Sequence, residues 1–552
     1  MLTIEDVASV PLFAELPAVE IERLARTSAD LHLASGEFAV HEGGERALFA
    51  VLSGKMEVIK TFDGVERTLG WRVPGTIFGE VPIALGTPFP GGYRAAEPSR
   101  VMRVDIQQYY AVAAACRDIS LKLSALARER LGGLQNIASE PHKPRVTLVG
   151  HRFDTACGSL RRFLARNQIS FNWLTPDAPE VASFGPGARP KGDGFVLRFP
   201  DGELLAAPDV RVVASRLGLQ TSARFDEYDV AIVGGGPAGL AAAVYGASEG
   251  LNVLVIEASA PGGQAGSSSR IENYLGFPSG ISGQDLTARA WAQAQRFGAD
   301  LMIARNGQRL QCERRPYAVE MSDGVRVQAR AVIIATGARY RKLPVTSLSR
   351  FEGAGVYYGA TPMEQQLCQG QEVVVVGGGN SAGQAAVFLA ETCARVHLLV
   401  RGDGLAESMS RYLIRRIEDN PVISLSTRSE IVAVEGDYHL ERVEWRDNRA
   451  GTLEARAIRH IFVMTGATPC SDWLEGCLAL DAQGFIKTGA DLSSEDLATA
   501  KWPMGRVPHH LETTLPGVFA VGDVRSRNIK RVASAVGEGS TAVAFVHRVL
   551  QE

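Results

Sequence analysis

From residue 225 onward, short apolar runs alternate with amphipathic segments. The runs 230–233, 253–256, 373–376 and 397–400 have the length and composition of buried strands, and polar or glycine-rich turns follow them. Helix-compatible stretches come after the turns. This alternation predicts an α/β module.

The first 138 residues follow a different pattern. Short alternating segments at 38–41, 47–52 and 56–60 are separated by glycine-containing turns, including one at 63–64. A helical stretch around 106–134 follows, so we predict a β-rich domain closed by a helix. The proline-containing segment 139–144 is predicted to be a linker.

Residues 145–221 are predicted to form a small βαβ-type unit with the element order of a thioredoxin or glutaredoxin fold. Its expected elements are a strand at 146–150, a helix near 158–167, a strand at 169–174, a hairpin at 195–205 and a helix at 210–217. The whole chain is then divided into 1–138, 145–221, 225–342, 343–467 and 468–552.

Two glycine-rich turns lie at the ends of predicted strands and at the starts of predicted helices. Such turns hold a dinucleotide pyrophosphate on free backbone N–H groups and the positive end of a helix dipole. The first turn contains Gly234, Gly236, Pro237, Ala238 and Gly239, and the second contains Gly377, Gly379, Asn380, Ser381 and Ala382. Two dinucleotides in one chain indicate hydride transfer between them.

The first turn has a further signal in Glu257, at the end of the second strand. A carboxylate about 20 residues after the first glycine accepts the ribose hydroxyls of an adenosine moiety. Strand, turn, helix, strand and acid together predict a dinucleotide site, whereas a tight turn that binds nothing would leave Glu257 unexplained.

Composition narrows the class of protein. The 552 residues carry a net charge of −3, so we expect no nucleic-acid partner. We also expect no membrane-spanning segment and no signal peptide at the N-terminus. Seven scattered cysteines without a C-x-x-C pair are typical of a reducing cytoplasm, not of a disulfide framework.

The module from 225 to 552 resembles the low-molecular-weight thioredoxin reductases. The segments 261–264, 271–274 and 335–338 are similar to flavin-contacting loops of that family, and 517–523 is similar to its second flavin segment. The resemblance implies two Rossmann-like domains, with FAD bound by 225–342 together with 468–552. The implied FAD residues, besides the first turn and Glu257, are Gly263, Gln264, Asn273, Thr336, Gly337, Gly522, Asp523, Lys530, Arg531 and Val532.

The same resemblance implies a nicotinamide cofactor in 343–467. Arg401 follows the strand 397–400, and no acid occurs before Asp403. A 2′-phosphate favours arginine at this position, whereas a 2′-hydroxyl favours a carboxylate, so we predict NADPH, with NADH as the alternative. Arg411, Arg415 and Arg416 on the next helix are interpreted as a solvated helix face, and the alternative is that they substitute for further arginines at the 2′-phosphate.

The redox dithiol of the thioredoxin reductases is missing from this sequence. Gly359 and Pro362 stand at the positions that the C-x-x-C pair takes in that family, so thiol exchange is impossible there and no catalytic residue is predicted. Cys368 has no expected partner, and Cys470 and Cys477 are interpreted as apolar fillers. Cys157 is either a reactive thiol with a pKa lowered by a helix dipole or a residue of a degenerate domain.

Residues 1–138 resemble cyclic-nucleotide-binding domains, with a β-roll and the segment Phe78-Gly79-Glu80. In that family the glutamate binds a ribose and a later arginine binds the cyclic phosphate. Here the arginine is replaced near Phe89-Pro90, and Arg94 is predicted on the next strand, so we expect no binding of cyclic AMP. Two alternatives for this domain are a surface that binds a partner and a site for a different ligand.

These observations predict a cytoplasmic FAD enzyme that takes hydride from NADPH and passes electrons to an unidentified acceptor, such as a redox protein. The resemblance implies a homodimer. One alternative is a ferredoxin, quinone or flavin reductase, although such relatives usually carry a C-terminal extension that we do not expect here. Another alternative is a sensor of NADPH with little turnover.

Overall fold

The computed structural model describes residues 2–62, 65–137, 144–192, 194–278, 280–474 and 476–552. The predicted turn at 63–64 and all but the last residue of the predicted linker at 139–144 lie outside the described residues. In the part of the chain that is described, none of the helices combines the length and the apolarity needed to span a lipid bilayer.

The N-terminal domain is a β-roll of two antiparallel four-stranded sheets with helices around it. The sheets have the strand orders β1-β8-β3-β6 and β2-β7-β4-β5. The strands are β1 (Ala29–Leu33), β2 (Phe38–Val40), β3 (Ala47–Ser53), β4 (Met56–Phe62), β5 (Val65–Arg72), β6 (Ile77–Phe78), β7 (Gly92–Ala95) and β8 (Ser99–Asp105). The helices are α1 (Ile4–Ala8), α2 (Ala18–Thr27), α3 (Glu80–Leu85), α4 (Ile106–Ala115) and α5 (Arg117–Ile137).

The helical stretch that closes this domain is two helices rather than one. Cys116, between α4 and α5, has an extended backbone with φ −135°. The break allows both helices to pack on the β-roll, because Val112 and Ile119 are buried in the same core. Arg94 lies on β7, as predicted.

Four aromatic side chains fill the interior of the β-roll. Phe78 stacks on Phe49 and on Tyr93, with ring centroids 4.7 and 4.2 Å apart. Phe89 packs edge-on against both Phe49 and Tyr93 at 5.8 Å, and its side chain is 1% exposed. This cluster takes up the space between the two sheets.

Replacing Phe89 with alanine is therefore expected to destabilise the N-terminal domain by about 3–5 kcal/mol, since it removes a buried ring and leaves a cavity. Thermal unfolding should show an earlier transition for this domain, while FAD content stays unchanged. Phe225→Ala is the control, because the Phe225 side chain is 55% exposed. Equal unfolding temperatures for the two variants would contradict the packing argument.

The small middle domain has one four-stranded sheet with the order β10-β9-β11-β12. Strands β9 (Val146–Gly150) and β10 (Phe171–Leu174) are parallel, and β11 (Phe195–Arg198) and β12 (Leu204–Ala206) form the predicted hairpin. Helix α6 (Thr155–Arg166) begins three residues before its predicted start, because Asp154 caps it by accepting the Cys157 N–H at 2.6 Å. Helix α7 (Val210–Arg216) closes the domain.

The first Rossmann unit is built on a sheet in which five neighbouring strands are parallel. The order is β15-β14-β13-β18-β17-β16, with β29 paired to β18. Its strands are β13 (Glu227–Val233), β14 (Val253–Glu257), β15 (Asp300–Ile303), β16 (Gly307–Gln311), β17 (Tyr317–Met321), β18 (Arg326–Ile334) and β29 (Val518–Ala520). Its helices are α8 (Pro237–Ser248), α9 (Gly283–Arg296), α13 (Ser494–Thr499) and α14 (Val532–Gln551).

The second Rossmann unit has a parallel five-stranded sheet, β20-β27-β21-β22-β23, and an antiparallel sheet, β24-β25-β26. Its strands are β20 (Val356–Tyr357), β21 (Glu372–Val376), β22 (Arg395–Val400), β23 (Ile423–Thr427), β24 (Ser429–Glu435), β25 (Arg442–Asp447), β26 (Leu453–Arg456) and β27 (Ile461–Val463). Its helices are α10 (Pro362–Leu367), α11 (Asn380–Leu389) and α12 (Arg411–Glu418). The two units are joined by an antiparallel ladder of β19 (Ala338–Tyr340) and β28 (Ala467–Pro469).

Six short 3₁₀ turns complete the secondary structure of the described residues. They are Pro179–Phe184, Ala265–Ser267, Leu348–Phe351, Asp472–Leu474, Gly489–Asp491 and Gly522–Val524.

The small domain contacts both Rossmann units through the two ends of α6. Before its N-terminus, Arg152 Nη2 donates to the Leu367 carbonyl at 2.7 Å, and Phe153 stacks on His439 with ring centroids 4.5 Å apart. After its C-terminus, the Asn167 amide donates to the Ser259 carbonyl of the first unit at 3.1 Å. Helix α6 therefore spans the boundary between the two units.

Candidate functional site

A cavity of about 820 Å³ opens at the carboxyl ends of the parallel strands of the first unit. This is the edge of a doubly wound sheet at which ligands bind. Fifteen of the sixteen predicted FAD residues line it: Gly234, Gly236, Pro237, Ala238, Glu257, Gly263, Gln264, Asn273, Thr336, Gly337, Gly522, Asp523, Lys530, Arg531 and Val532. The sixteenth, Gly239, lies beneath the turn.

The glycine turn after β13 leaves its backbone open to the cavity. Gly234 has φ +110°, and a Cβ there would lie 2.3 Å from the Ala335 carbonyl oxygen. A Cβ on Gly239 would lie 1.9 Å from the Gly234 carbonyl oxygen, so only glycine lets α8 approach the turn. At Gly236 the nearest atom to a Cβ would be 3.9 Å away, which leaves room for a ligand. These features fit a pyrophosphate at the start of α8.

The Glu257 carboxylate is held in place by two backbone donors. Its Oε2 accepts the Gly235 N–H and its Oε1 accepts the Ser259 N–H, both at 2.8 Å. Each carboxylate oxygen can accept a second hydrogen bond. Glu257 can therefore keep these contacts and also accept the hydroxyls of a ribose.

The opposite wall of the cavity comes from the second segment of the first unit. The Gly522 N–H donates to Glu538 at 2.7 Å, which fixes the turn that carries Asp523. Burial raises the pKa of Asp523, and the nearby Lys530 opposes that rise. The Lys530 ammonium lies 4.4 Å from the Phe485 ring centroid and 3.4 Å from the Asp523 carbonyl oxygen, so this wall places a cation beside the backbone of Asp523.

The second glycine turn brings the second unit to the same cavity. Asn380 and Ser381, at the start of α11, line it together with Gln384. Burial raises the pKa of Tyr340, and its hydrogen bond with Ser381 opposes that rise. Gly377, Gly379 and Ala382 are not in the cavity wall. Residues of both glycine turns thus line one continuous cavity.

Gly377 is required by the geometry of its own turn. Its φ is +143°, and a Cβ would lie 2.4 Å from the Met464 carbonyl oxygen. Arg401 follows β22 and is exposed, outside the cavity wall. The next acid along the chain, Asp403, forms an ion pair with Arg428.

Arg411, Arg415 and Arg416 are exposed, as expected for a solvated face, but Arg416 also makes a contact that was not predicted. Its Nη1 contacts both carboxylate oxygens of Glu272 at 2.8 Å. Glu272 belongs to the segment 271–274 of the first unit, so the pair ties α12 to a cavity loop. Sequence patterns cannot show this contact, since the partners are 144 residues apart.

Comparisons with known proteins agree with this geometry. Residues 228–539 match the family model described as pyridine nucleotide-disulphide oxidoreductase, and residues 30–116 match the cyclic nucleotide-binding domain. The chain belongs to the pyridine nucleotide-disulphide oxidoreductase family. It is also fused to a cyclic-nucleotide-binding domain at its N-terminus, as the sequence predicted.

Thioredoxin reductases are among the similar proteins. That of Mycolicibacterium smegmatis is 34% identical over 325 residues, which are 59% of this chain and 97% of the relative. That of Bacillus subtilis is 32% identical over 59% of this chain and 95% of the relative. The crystal structure of Lactococcus lactis thioredoxin reductase matches with a TM-score of 0.53 and 27% identity, over 59% of this chain and all of that one. The Rossmann units therefore have the thioredoxin reductase-type fold, and this chain is a thioredoxin reductase-like NAD(P)H-dependent flavin oxidoreductase of the family.

Gly359 and Pro362, which are predicted from the sequence to stand at the dithiol positions, lie near the cavity. Gly359 follows β20, and a Cβ there would lie 3.8 Å from the Ser267 side chain of the first unit. Pro362 is the first residue of α10 and is exposed. Gly359 and Gln384 also line a narrow pocket between the units. Neither Gly359 nor Pro362 carries a sulfur atom that could exchange electrons with a flavin.

Two expectations about cysteines are wrong. Cys312 and Cys477 form a disulfide that joins residues 165 apart in sequence, so Cys477 is not a free apolar filler. Cys368 has a neighbour, because the Cys393 Sγ lies 3.7 Å from its own Sγ in a buried core. The hydrogen bond with Cys393 and burial raise the pKa of Cys368. Both pairs come from distant strands and loops, which spacing alone does not reveal.

Cys157 does not have the lowered pKa expected at a helix start. Burial raises its pKa to about 11. Its sulfur packs closely on Gly150, where a Cβ would lie only 2.7 Å from Sγ. The site therefore favours the alternative of a small buried side chain over that of a reactive thiol.

In the cyclic-nucleotide-binding domain, the two residues singled out in the sequence are occupied by other contacts. Glu80 is 1% exposed and pairs with Arg130 of α5 at 2.9 Å. Arg94 pairs with Glu57 at 2.8 Å and Glu66 at 3.3 Å, and it donates to the Gln168 carbonyl of the small domain at 3.5 Å. Arg94 thus faces the next domain.

Several cavity residues were missed by sequence reasoning. They are Arg166, Arg305, Asn306, Tyr340, Gln384, Cys470, Asp472 and Trp473. Arg305 and Asn306 follow the parallel strand β15, so their position at its carboxyl end was a usable signal. Arg166 had no such signal, because it comes from another domain.

Proposed function

We propose that this protein binds FAD in the 820 Å³ cavity and takes a hydride from NADPH bound by the second unit. The observation that carries the proposal is that residues of both glycine turns line one cavity. Members of the family use FAD and NADPH. When bound, FAD accepts the electron pair that the reduced nicotinamide donates as hydride.

The residues of the chain would bind and orient these groups. The first turn and Glu257 would hold the adenosine diphosphate part of FAD, and Asp523 with Lys530 would lie along its other part. The second turn would hold the NADPH pyrophosphate, and Arg401 its 2′-phosphate.

We further propose that electrons leave to an acceptor outside the chain, without an active-site dithiol at Gly359 and Pro362. The acceptor classes to be separated are protein disulfides, ferredoxins, quinones and free flavins. A homodimer is proposed from the family resemblance. A cytoplasmic location is proposed because the five cysteines outside the Cys312–Cys477 pair are free thiols. Light scattering and cell fractionation test these two points.

The decisive experiment is an anaerobic titration of the purified protein with NADPH and, separately, NADH. Bleaching of flavin absorbance by NADPH, faster than by NADH, is expected. A bound flavin that neither cofactor reduces would contradict the proposal. Steady-state turnover with the panel of acceptors then identifies the acceptor class.

A sensor with little turnover is the second candidate, and the Arg94–Gln168 contact favours it. This contact connects the N-terminal domain to the small domain that touches both Rossmann units. A sensor would be reduced once by NADPH and then stall with every acceptor. Sustained turnover with any acceptor would exclude it.

Changing Arg401 to alanine is expected to raise the KM for NADPH about tenfold and to leave that for NADH within about twofold, because one charge-assisted phosphate contact is lost. Steady-state kinetics with both cofactors measures the effect. Arg449→Ala is the control, since Arg449 is also exposed but lies in the turn after β25. Equal changes for NADPH and NADH would contradict the assignment of Arg401.

A further inference from the structure

Arg166 brings the small domain to the cofactor cavity. It is the last residue of α6 and lies outside the region 228–539 that matches the oxidoreductase family. Its side chain nevertheless lines the cavity alongside Gly234, Gly236 and Glu257. The small domain is therefore part of the wall of this site.

The guanidinium of Arg166 holds the loop between β14 and α9. Nη2 donates to the Gly263 carbonyl at 2.8 Å and to the Ala260 carbonyl at 3.3 Å. Gly263 has φ +52°, and the loop follows directly after Glu257. Arg166 is thus held by the loop that runs from the Glu257 carboxylate to Gly262 and Gly263.

Neighbouring contacts keep the end of α6 in place. Asn167 Nδ2 donates to the Ser259 carbonyl at 3.1 Å, and Gln284 Nε2 donates to the Ala165 carbonyl at 3.4 Å. Three consecutive residues of the small domain therefore contact the first unit. Their positions limit the freedom of the Arg166 side chain.

Arg166 retains unused donors and a positive charge. Of its five N–H donors, only those on Nη2 make hydrogen bonds within the described residues, so Nε and Nη1 are available. Burial lowers the pKa of Arg166 and Glu257 opposes that shift, but an arginine stays charged in either case. The start of α8 faces the same cavity with its positive dipole end, so the region suits an anion.

We propose that Arg166 is an FAD-binding residue supplied by the fused small domain. Its Nη2 orders the loop at 260–263, and its remaining donors contact the pyrophosphate of the cofactor. A planar guanidinium is suited to this role, because two of its N–H groups can pair with two phosphate oxygens. The inference rests on the proposed binding of FAD in this cavity.

The test is a titration of flavin-free, full-length protein with FAD, followed by flavin fluorescence at low and high salt. Arg166→Gln is expected to weaken FAD binding about tenfold or more and to lose part of its salt dependence, because a charge–phosphate contact is screened by salt. The FAD affinity of Arg166→Lys should fall between those of the wild type and Arg166→Gln. Lysine keeps the positive charge but lacks the planar guanidinium that can donate two parallel hydrogen bonds. Arg189→Gln, an exposed site in the same domain, should bind like the wild type.

The outcomes separate the two proposals. If the wild-type protein binds no FAD, the assignment of the cavity fails together with the role of Arg166. If the wild type binds FAD and Arg166→Gln binds it equally well, only the role of Arg166 is overturned. Weaker binding with an unchanged salt dependence would also overturn the phosphate contact, since it indicates loop ordering alone. Thermal unfolding of the flavin-free variants shows that each is folded.

Discussion

Replacing Gly239 with alanine is expected to yield a folded protein that is purified with about a tenth or less of the wild-type FAD. The new Cβ would lie 1.9 Å from the Gly234 carbonyl oxygen and 3.2 Å from Ile232 Cγ2. The first of these atoms belongs to the backbone, so it cannot swing aside as a side chain would. Helix α8 must then move away from the turn and from the expected position of the pyrophosphate.

The FAD content follows from the ratio of flavin to protein absorbance. Gly537→Ala is the matched control, because it changes a glycine of α14 at which a Cβ would meet no described atom within 4 Å. This variant should keep its FAD. Full FAD content in Gly239→Ala would show that the cavity at the start of α8 is not where the cofactor binds.

Replacing Gly377 with alanine is expected to have the complementary effect. FAD should stay bound, while the rate of flavin reduction by NADPH should fall about a hundredfold. The strain is local to the second unit, because the Cβ would lie 2.4 Å from the Met464 carbonyl oxygen at a residue with φ +143°. Anaerobic stopped-flow measurement of flavin bleaching gives the rate.

Gly505→Ala serves as the control for this variant, since Gly505 is exposed and a Cβ there would meet no described atom within 4 Å. Reduction of Gly377→Ala at the wild-type rate would contradict the assignment of the second turn to NADPH. Loss of FAD would indicate instead that the second unit helps to hold the flavin. The two glycine variants together therefore separate the two cofactor sites.

Sequence reasoning succeeded where structure is set by neighbours along the chain. The strands before both turns and the position of Arg94 follow from local alternation and from glycine geometry. It failed for contacts that depend on tertiary packing, such as Arg416 with Glu272 and Cys312 with Cys477. The pattern of α6 predicts a helix, but not that its last residue lines a cavity in another domain.

Helix α6 has a mechanical consequence for the whole chain. Its 12 residues span about 18 Å, with the second Rossmann unit at one end and the first at the other. A helix in this position restricts the relative movement of the two units. Any rotation of one unit about the β19–β28 ladder must compress or break the contacts at one end of α6. The N-terminal domain contacts the same end of α6, because Arg94 donates a hydrogen bond to the carbonyl of Gln168. Gln168 lies two residues after Arg166. A displacement of the N-terminal domain would therefore change the relative position of the two Rossmann units. The distance between the bound nicotinamide and the flavin would then change without any ligand binding between them.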